Sequence, residues 1–152
     1  MNFPLALVLI LATLTLSTCD QTGNVCGDAK WKENLDLWQS HAMTDYDFVV
    51  KRFRDPNYSH VPFLIKVSNG ETVYLESSRE NAGLELTDGY GEVASGSKMF
   101  DMIRNACSNG TDVKVEYDKE FGYPTTINVP LQKEGVHSVD RYVIEKFNQV
   151  NS

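Results

Sequence analysis

Several things are scarce in this chain, and each scarcity closes off a class of function. Cysteine and histidine number three each in 152 residues. Structural zinc needs four such ligands in close-spaced pairs, and neither Cys26 nor Cys107 has a neighbour at that spacing. The sequence therefore points to no metal and no cofactor. Positive charge is short as well: 14 Lys and Arg stand against 21 Asp and Glu, a net charge of −7. A phosphate-binding surface works by releasing counterions to a basic patch, and no Lys/Arg cluster supplies one. Nucleic acid is excluded as a partner, and an anionic membrane surface with it.

A long apolar run is also missing. Leu5 to Leu14 is uncharged and apolar, but a spanning helix needs about 20 such residues. A core of this length followed by small polar residues is the pattern of a secretory signal peptide, read here as residues 1–19. Leu16-Ser17-Thr18-Cys19 also resembles a bacterial lipobox, in which the cysteine is acylated. Threonine before the cysteine and the lack of Lys or Arg near Met1 depart from that pattern. Secretion is thus the first expectation, and a lipid anchor at Cys19 the alternative. In both cases Cys26 and Cys107 remain as an even pair, and an oxidising compartment bridges such a pair.

Reactive constellations are absent too. His41, His60 and His137 stand at a helix end, in a loop and at a strand start, none at catalytic spacing from a nucleophile. "GEVASGSK", residues 91–98, transposes Ser97 and Lys98 relative to a phosphate loop, which ends Gly-Lys-Ser/Thr. "DGYGE" lacks the alternating ligands of a calcium loop. The pairs Asp118/Glu120 and Asp45/Asp47 read as solvated charge rather than as a hydrolytic pair. Sequons occur at Asn57 and Asn109, acceptors of glycan in a eukaryotic host.

What is present is patterned for one α+β domain over residues 28–149, after a polar tether at 20–27. Trp31, Leu35, Trp38 and Ala42 recur at helical spacing, with Asp28 as cap. "DYDFVVKRF" has strand composition. "HVPFLIKVSNGETVYLESS" is a hairpin on an Asn69-Gly70 type I′ turn, with Val61, Phe63, Ile65, Val67, Val73 and Leu75 expected inward. Residues 78–94 break every period and read as a long polar loop, a place for a binding surface. A second helix carries Met99, Phe100, Ile103, Ala106 and Cys107 on one side; Ser95 or Ser97 caps it and Asn109-Gly110 ends it. "VEYDKEFGYPTTINV", residues 115–129, is strand, bend and strand. "HSVDRYVIEKF" is a last strand whose inward face the alternation does not decide. The expected architecture is an antiparallel sheet of about five to six strands with two helices on one face, in the order α-β-β-β-α-β-β-β.

Trp38, "DYDF", "SNGETV", "SKMFDMI" and above all the Tyr117-Asp118 … Gly122-Tyr123-Pro124-Thr125 signature resemble the secreted and lipoprotein domains of unknown function 6174. The likeness spans roughly residues 35–147. It implies export and a helix-plus-antiparallel-sheet fold, and it brings no activity. Relatives often carry consecutive acids before the last strand, where this chain keeps Asp140 alone. With no catalytic set in view, the expectation is a non-enzymatic module that binds a protein or small ligand. It meets membrane only through the alternative anchor. The rival is a hydrolase with an Asp/Glu/Tyr site near residues 117–123.

Overall fold

The computed structural model describes residues 25–27, 29–54, 62–77, 90–133 and 136–150. Leu5–Leu14, Cys19, Asp28, Asn57, His60 and Val61 lie outside them, as do residues 78–89. Two helices, α1 (Ala29–Ser40) and α2 (Gly96–Ser108), accompany six strands. These are β1 (Tyr46–Arg54), β2 (Phe63–Ser68), β3 (Glu71–Ser77), β4 (Lys114–Tyr117), β5 (Pro124–Lys133) and β6 (Val136–Gln149). All pairings are antiparallel, and the strands lie in the order β3-β2-β1-β6-β5-β4. The element order and the α+β class are those read from the sequence.

Period-2 patterning puts one face of this sheet in the core. Tyr46, Phe48 and Val50 on β1 are buried with Phe63, Ile65 and Val67 on β2, Val115 on β4, Ile127 on β5, and Tyr142 and Ile144 on β6. Both helices cover that face. The α1 residue Trp38 packs edge-on to Tyr46 and Phe147, while Met99, Phe100 and Ile103 of α2 are fully sequestered.

The two helices meet at Gly96. A side chain there would collide with the Trp38 indole, so only glycine allows the contact. The Gly96 amide, unpaired within its own helix, donates to the Tyr46 hydroxyl at 2.9 Å. Ser95 caps α2 by accepting from the Lys98 amide. Gly110, at φ +75, ends the helix in a Schellman motif: its amide donates to Cys107 O, and that of Thr111 to Ala106 O. Cys107, in that last turn, is joined by a disulfide to Cys26, in the 3-10 turn Val25–Gly27.

Three local expectations are corrected. Ala42 does not extend the helical stripe; α1 stops at Ser40, and Ala42 turns the chain out at φ +47, exposed. Val73 is not inward. A bulge opposite Lys66 and Val67 pairs Val67 with Thr72, leaving Val73 62% exposed. The end of the expected polar loop is core: Tyr90 and Val93 are buried, with the Tyr90 ring 4.2 Å from that of Phe63. The Asn69-Gly70 turn, by contrast, has the two positive φ values of type I′, 50° and 79°.

The last strand explains its own ambiguity. Asp140, Tyr142 and Ile144 face the core in alternation. An extra residue then interrupts the pairing with β1, and Lys146 takes φ +52. The interruption returns Phe147 to the inner face, where it stacks on Tyr123 at 4.4 Å and on Tyr46 at 5.3 Å.

Candidate functional site

Two regions compete for the functional role. The first is the signature bend between β4 and β5. Asp118 Oδ1 accepts from the amides of Glu120 (2.9 Å) and Phe121 (2.7 Å), which closes the turn through its own side chain. The Asp118 amide donates to Tyr123 O, and the Gly122 amide donates back to Asp118 O. Gly122 sits at φ +79 directly against α1: a Cβ there would lie 2.5 Å from Asn34 O and 3.1 Å from the Leu37 Cβ. Tyr123 contributes its ring to the Trp38–Phe147 cluster, and burial together with the Asp118 charge pushes its phenol up to about 12. Pro124 is fully buried at the start of β5, and Thr125 is half-buried.

His41, just beyond α1, completes the seam. Its Nε2 lies 2.9 Å from Glu120 O, with the ring 5.1 Å from Phe121. The Asp118 hydrogen bonds close the bend on itself, the His41 contact ties it to the end of α1, and the Glu120 side chain is exposed. Asp45 and Asp47 also separate to structural partners. Asp45 accepts from Ser68 Oγ and the Asn69 amide, locking the β2–β3 turn, and Asp47 accepts from Asn148. The Thr44 and Ser68 hydroxyls hold the Asp45 carboxyl below its ordinary range. His137 lies on β6, with its side chain outside the described residues.

The second region is a cleft of about 540 Å³ between α2 and the β5–β6 pair. Its volume falls in the range of small-molecule sites, roughly 300–1,000 Å³. The apolar part comes from Met102 and Ala106 of α2 and Val129 and Leu131 of β5; Asp140 and Tyr142 of β6 add polar groups. At the rim stand Glu92, Lys98, Asp101, Asn105 and Asn109. Asn109, the exposed C-cap of α2, would carry any glycan at the mouth. The cleft exists because β1, β5 and β6 are long: their inner faces continue beyond the aromatic core.

Charge enters the core face at this end. Arg52 and Arg54 occupy the positions on β1 that continue Phe48 and Val50 inward, and Asp140 lies across from them on β6. Arg52 Nη2 donates to Asp140 Oδ2 at 2.8 Å. Arg54 makes a two-pronged contact with the same carboxylate at 2.8 and 2.9 Å. Burial opposes ionisation of Asp140, but the hydrogen bonds from Arg54 and Arg52, with their charges, hold its carboxyl below the usual range. The Arg52 guanidinium stands 5.3 Å from the Tyr142 ring centroid. Burial pushes the Tyr142 phenol up to about 12, so it stays a neutral donor at physiological pH.

Sequence reasoning singled out Asp140 and passed over its partners and the cleft. One signal was available: two arginines at core parity on a strand require a carboxylate across the ladder. Among the described residues, no three His, Cys, Asp or Glu side chains converge as a metal site. Nor is any described helix long and apolar enough to cross a membrane.

A family model, the family of unknown function DUF6174, matches residues 30–149, and the chain belongs to that family. Nothing among the curated proteins or the solved structures matches it.

Proposed function

We propose that this DUF6174 member is an exported binding module that holds a small, largely apolar ligand in the cleft between α2 and β5–β6. One observation carries the reading: an open cleft of about 540 Å³, a volume usual for ligand sites, brings the apolar Met102, Ala106, Val129, Pro130 and Leu131 together with polar side chains around them. Export is supported by the leader-like residues 1–19 and by the disulfide, a bond that persists in oxidising compartments. A lipid anchor at Cys19 is the alternative form of the same module. Cys26, only seven residues further on, would then keep the cleft close to the bilayer.

The hydrolase alternative at residues 117–123 has no comparable support. Asp118 is occupied by two backbone amides, and Tyr123 is packed against Trp38 and Phe147. The binding reading requires no reaction and no cofactor.

Filling the cleft tests it. Ala106→Trp places an indole against Val129 and Leu131. Protein incubated in its native extracellular fluid is re-isolated, extracted with organic solvent and analysed by mass spectrometry. The wild type releases a bound compound that the Ala106→Trp variant lacks. Identical extracts from the two would contradict the assignment.

A further inference from the structure

Tyr142 is 2% exposed and lines the cleft, yet none of the described residues hydrogen-bonds its hydroxyl. That hydroxyl is not among the fully buried unsatisfied groups, so it opens on the cleft, where water or an acceptor brought from outside meets it. The phenol is neutral, so what it offers is an O–H donor.

Charge around that donor is balanced. Arg52 and Arg54 favour loss of the phenol proton, and Asp140 and Glu92 oppose it, two of each sign. Lys98 and Asp101 complete the charged part of the lining, both exposed, and Asp101 is paired with Arg104 at 2.6 Å. Asp140 is committed to both arginines. Lys98 and Glu92 stand exposed at the mouth, so below them a ligand carboxylate would meet no buried cation outside the Asp140 triad, and an ammonium no buried carboxylate outside it. Burying either ion unpaired is costly, whereas a neutral acceptor meets the phenol at no such penalty.

Building on the cleft assignment above, we infer that the ligand is an uncharged amphipathic molecule. Its carbonyl, amide or ether oxygen accepts a hydrogen bond from Tyr142, and its hydrocarbon portion lies against Met102, Ala106, Val129 and Leu131. Charged amphiphiles of the same size are discriminated against.

Three chain-matched probes separate the possibilities: nonanamide, nonanoate and nonylammonium, each below its micelle-forming concentration. They are titrated into the full disulfide-bonded protein by calorimetry and by amide-resonance mapping. Nonanamide binds at least about fivefold more tightly than either ion, and Tyr142→Phe removes about fivefold of that affinity, the usual effect of one hydrogen bond. Because the hydroxyl has no protein partner, Tyr142→Phe unfolds at no lower temperature than the wild type. A drop of several degrees would mean that the hydroxyl is already satisfied within the fold, which overturns the inference. So would a preference for nonanoate or nonylammonium, though Ala106→Trp-sensitive binding of the ion would leave the cleft assignment standing. If no probe binds, or binding survives Ala106→Trp, both readings fail together.

Discussion

Replacing Gly122 with alanine separates a turn that is merely bent from one that is wedged. The residue stands at φ +79. An L side chain in that region costs about 1–2 kcal/mol. The new Cβ would also lie 2.5 Å from Asn34 O, a backbone atom of α1 that cannot rotate away. Displacing α1 is an overpacking change, worth about 1–3 kcal/mol. Together the loss is about 2–5 kcal/mol, a large share of the roughly 5–15 kcal/mol that holds a domain folded.

Gly110 supplies the control, since it has nearly the same dihedral, φ +75, with nothing within 4 Å of its virtual Cβ. Gly110→Ala should therefore show the backbone cost alone, about 1–2 kcal/mol. Urea unfolding followed by tryptophan fluorescence reads both variants, because Trp31 and Trp38 report from α1. Gly122→Ala should lose at least about 1 kcal/mol more than Gly110→Ala. Equal losses would refute the claim that the Gly-Tyr-Pro bend exists to seat α1.

Other perturbations probe the rest of the framework. Reducing the Cys26–Cys107 bond reopens a link across 81 positions and should cost about 4 kcal/mol on the chain-entropy account, measurable as a lower urea midpoint in reductant. Asp140→Ala strands the buried Arg52 charge, and unfolding free energy should fall by about 3–5 kcal/mol. The folded pKa of Asp140 is depressed, so its stabilisation is complete above the unfolded value of about 4 and fades as pH drops through the lower folded value. Asp140→Ala should accordingly flatten the acid limb of a stability–pH curve, and an unchanged limb would count against the triad. Lys146→Gly relieves a positive φ and should gain about 1 kcal/mol, whereas deleting Lys146 should remove the bulge, pair Phe147 with Phe48 and leave Phe147 inward. Inserting a further residue beside Lys146 should instead turn Phe147 outward and lower the melting temperature.

Much of this fold was legible because local chemistry and tertiary structure agree. Asn69-Gly70, Ser95 and Asn109-Gly110 are boundary signals that act over a few residues, and each does in the fold what its chemistry suggests. Alternation failed where the ladder itself is irregular. The extra residue at Lys146 shifts Phe147 out of phase with Ile144, and the bulge at Val73 does the same on β3, so a strict period of two misreads both. Tyr90 and Val93 were lost among Gly, Asp and Glu, because a non-periodic segment gives no sign of which residues dock.

The cleft was harder still. Its lining comes from α2, β5 and β6 and from the turn before α2, brought together only by the sheet order β1-β6-β5. The partner of the arginines emerges only when β6 sets Asp140 opposite Arg54 and within reach of Arg52. The signature residues looked chemically rich because closing a turn against a helix uses the same acids, amides and rings that a reactive site would.

The direct test of the central claim is a map of amide chemical shifts while nonanamide is titrated into the protein. Saturable changes should concentrate at Met102, Ala106, Val129, Leu131 and Tyr142 and leave residues 118–123 still. Changes centred on Asp118 to Tyr123, with the α2–β5–β6 cleft silent, would contradict it and hand the functional role to the bend.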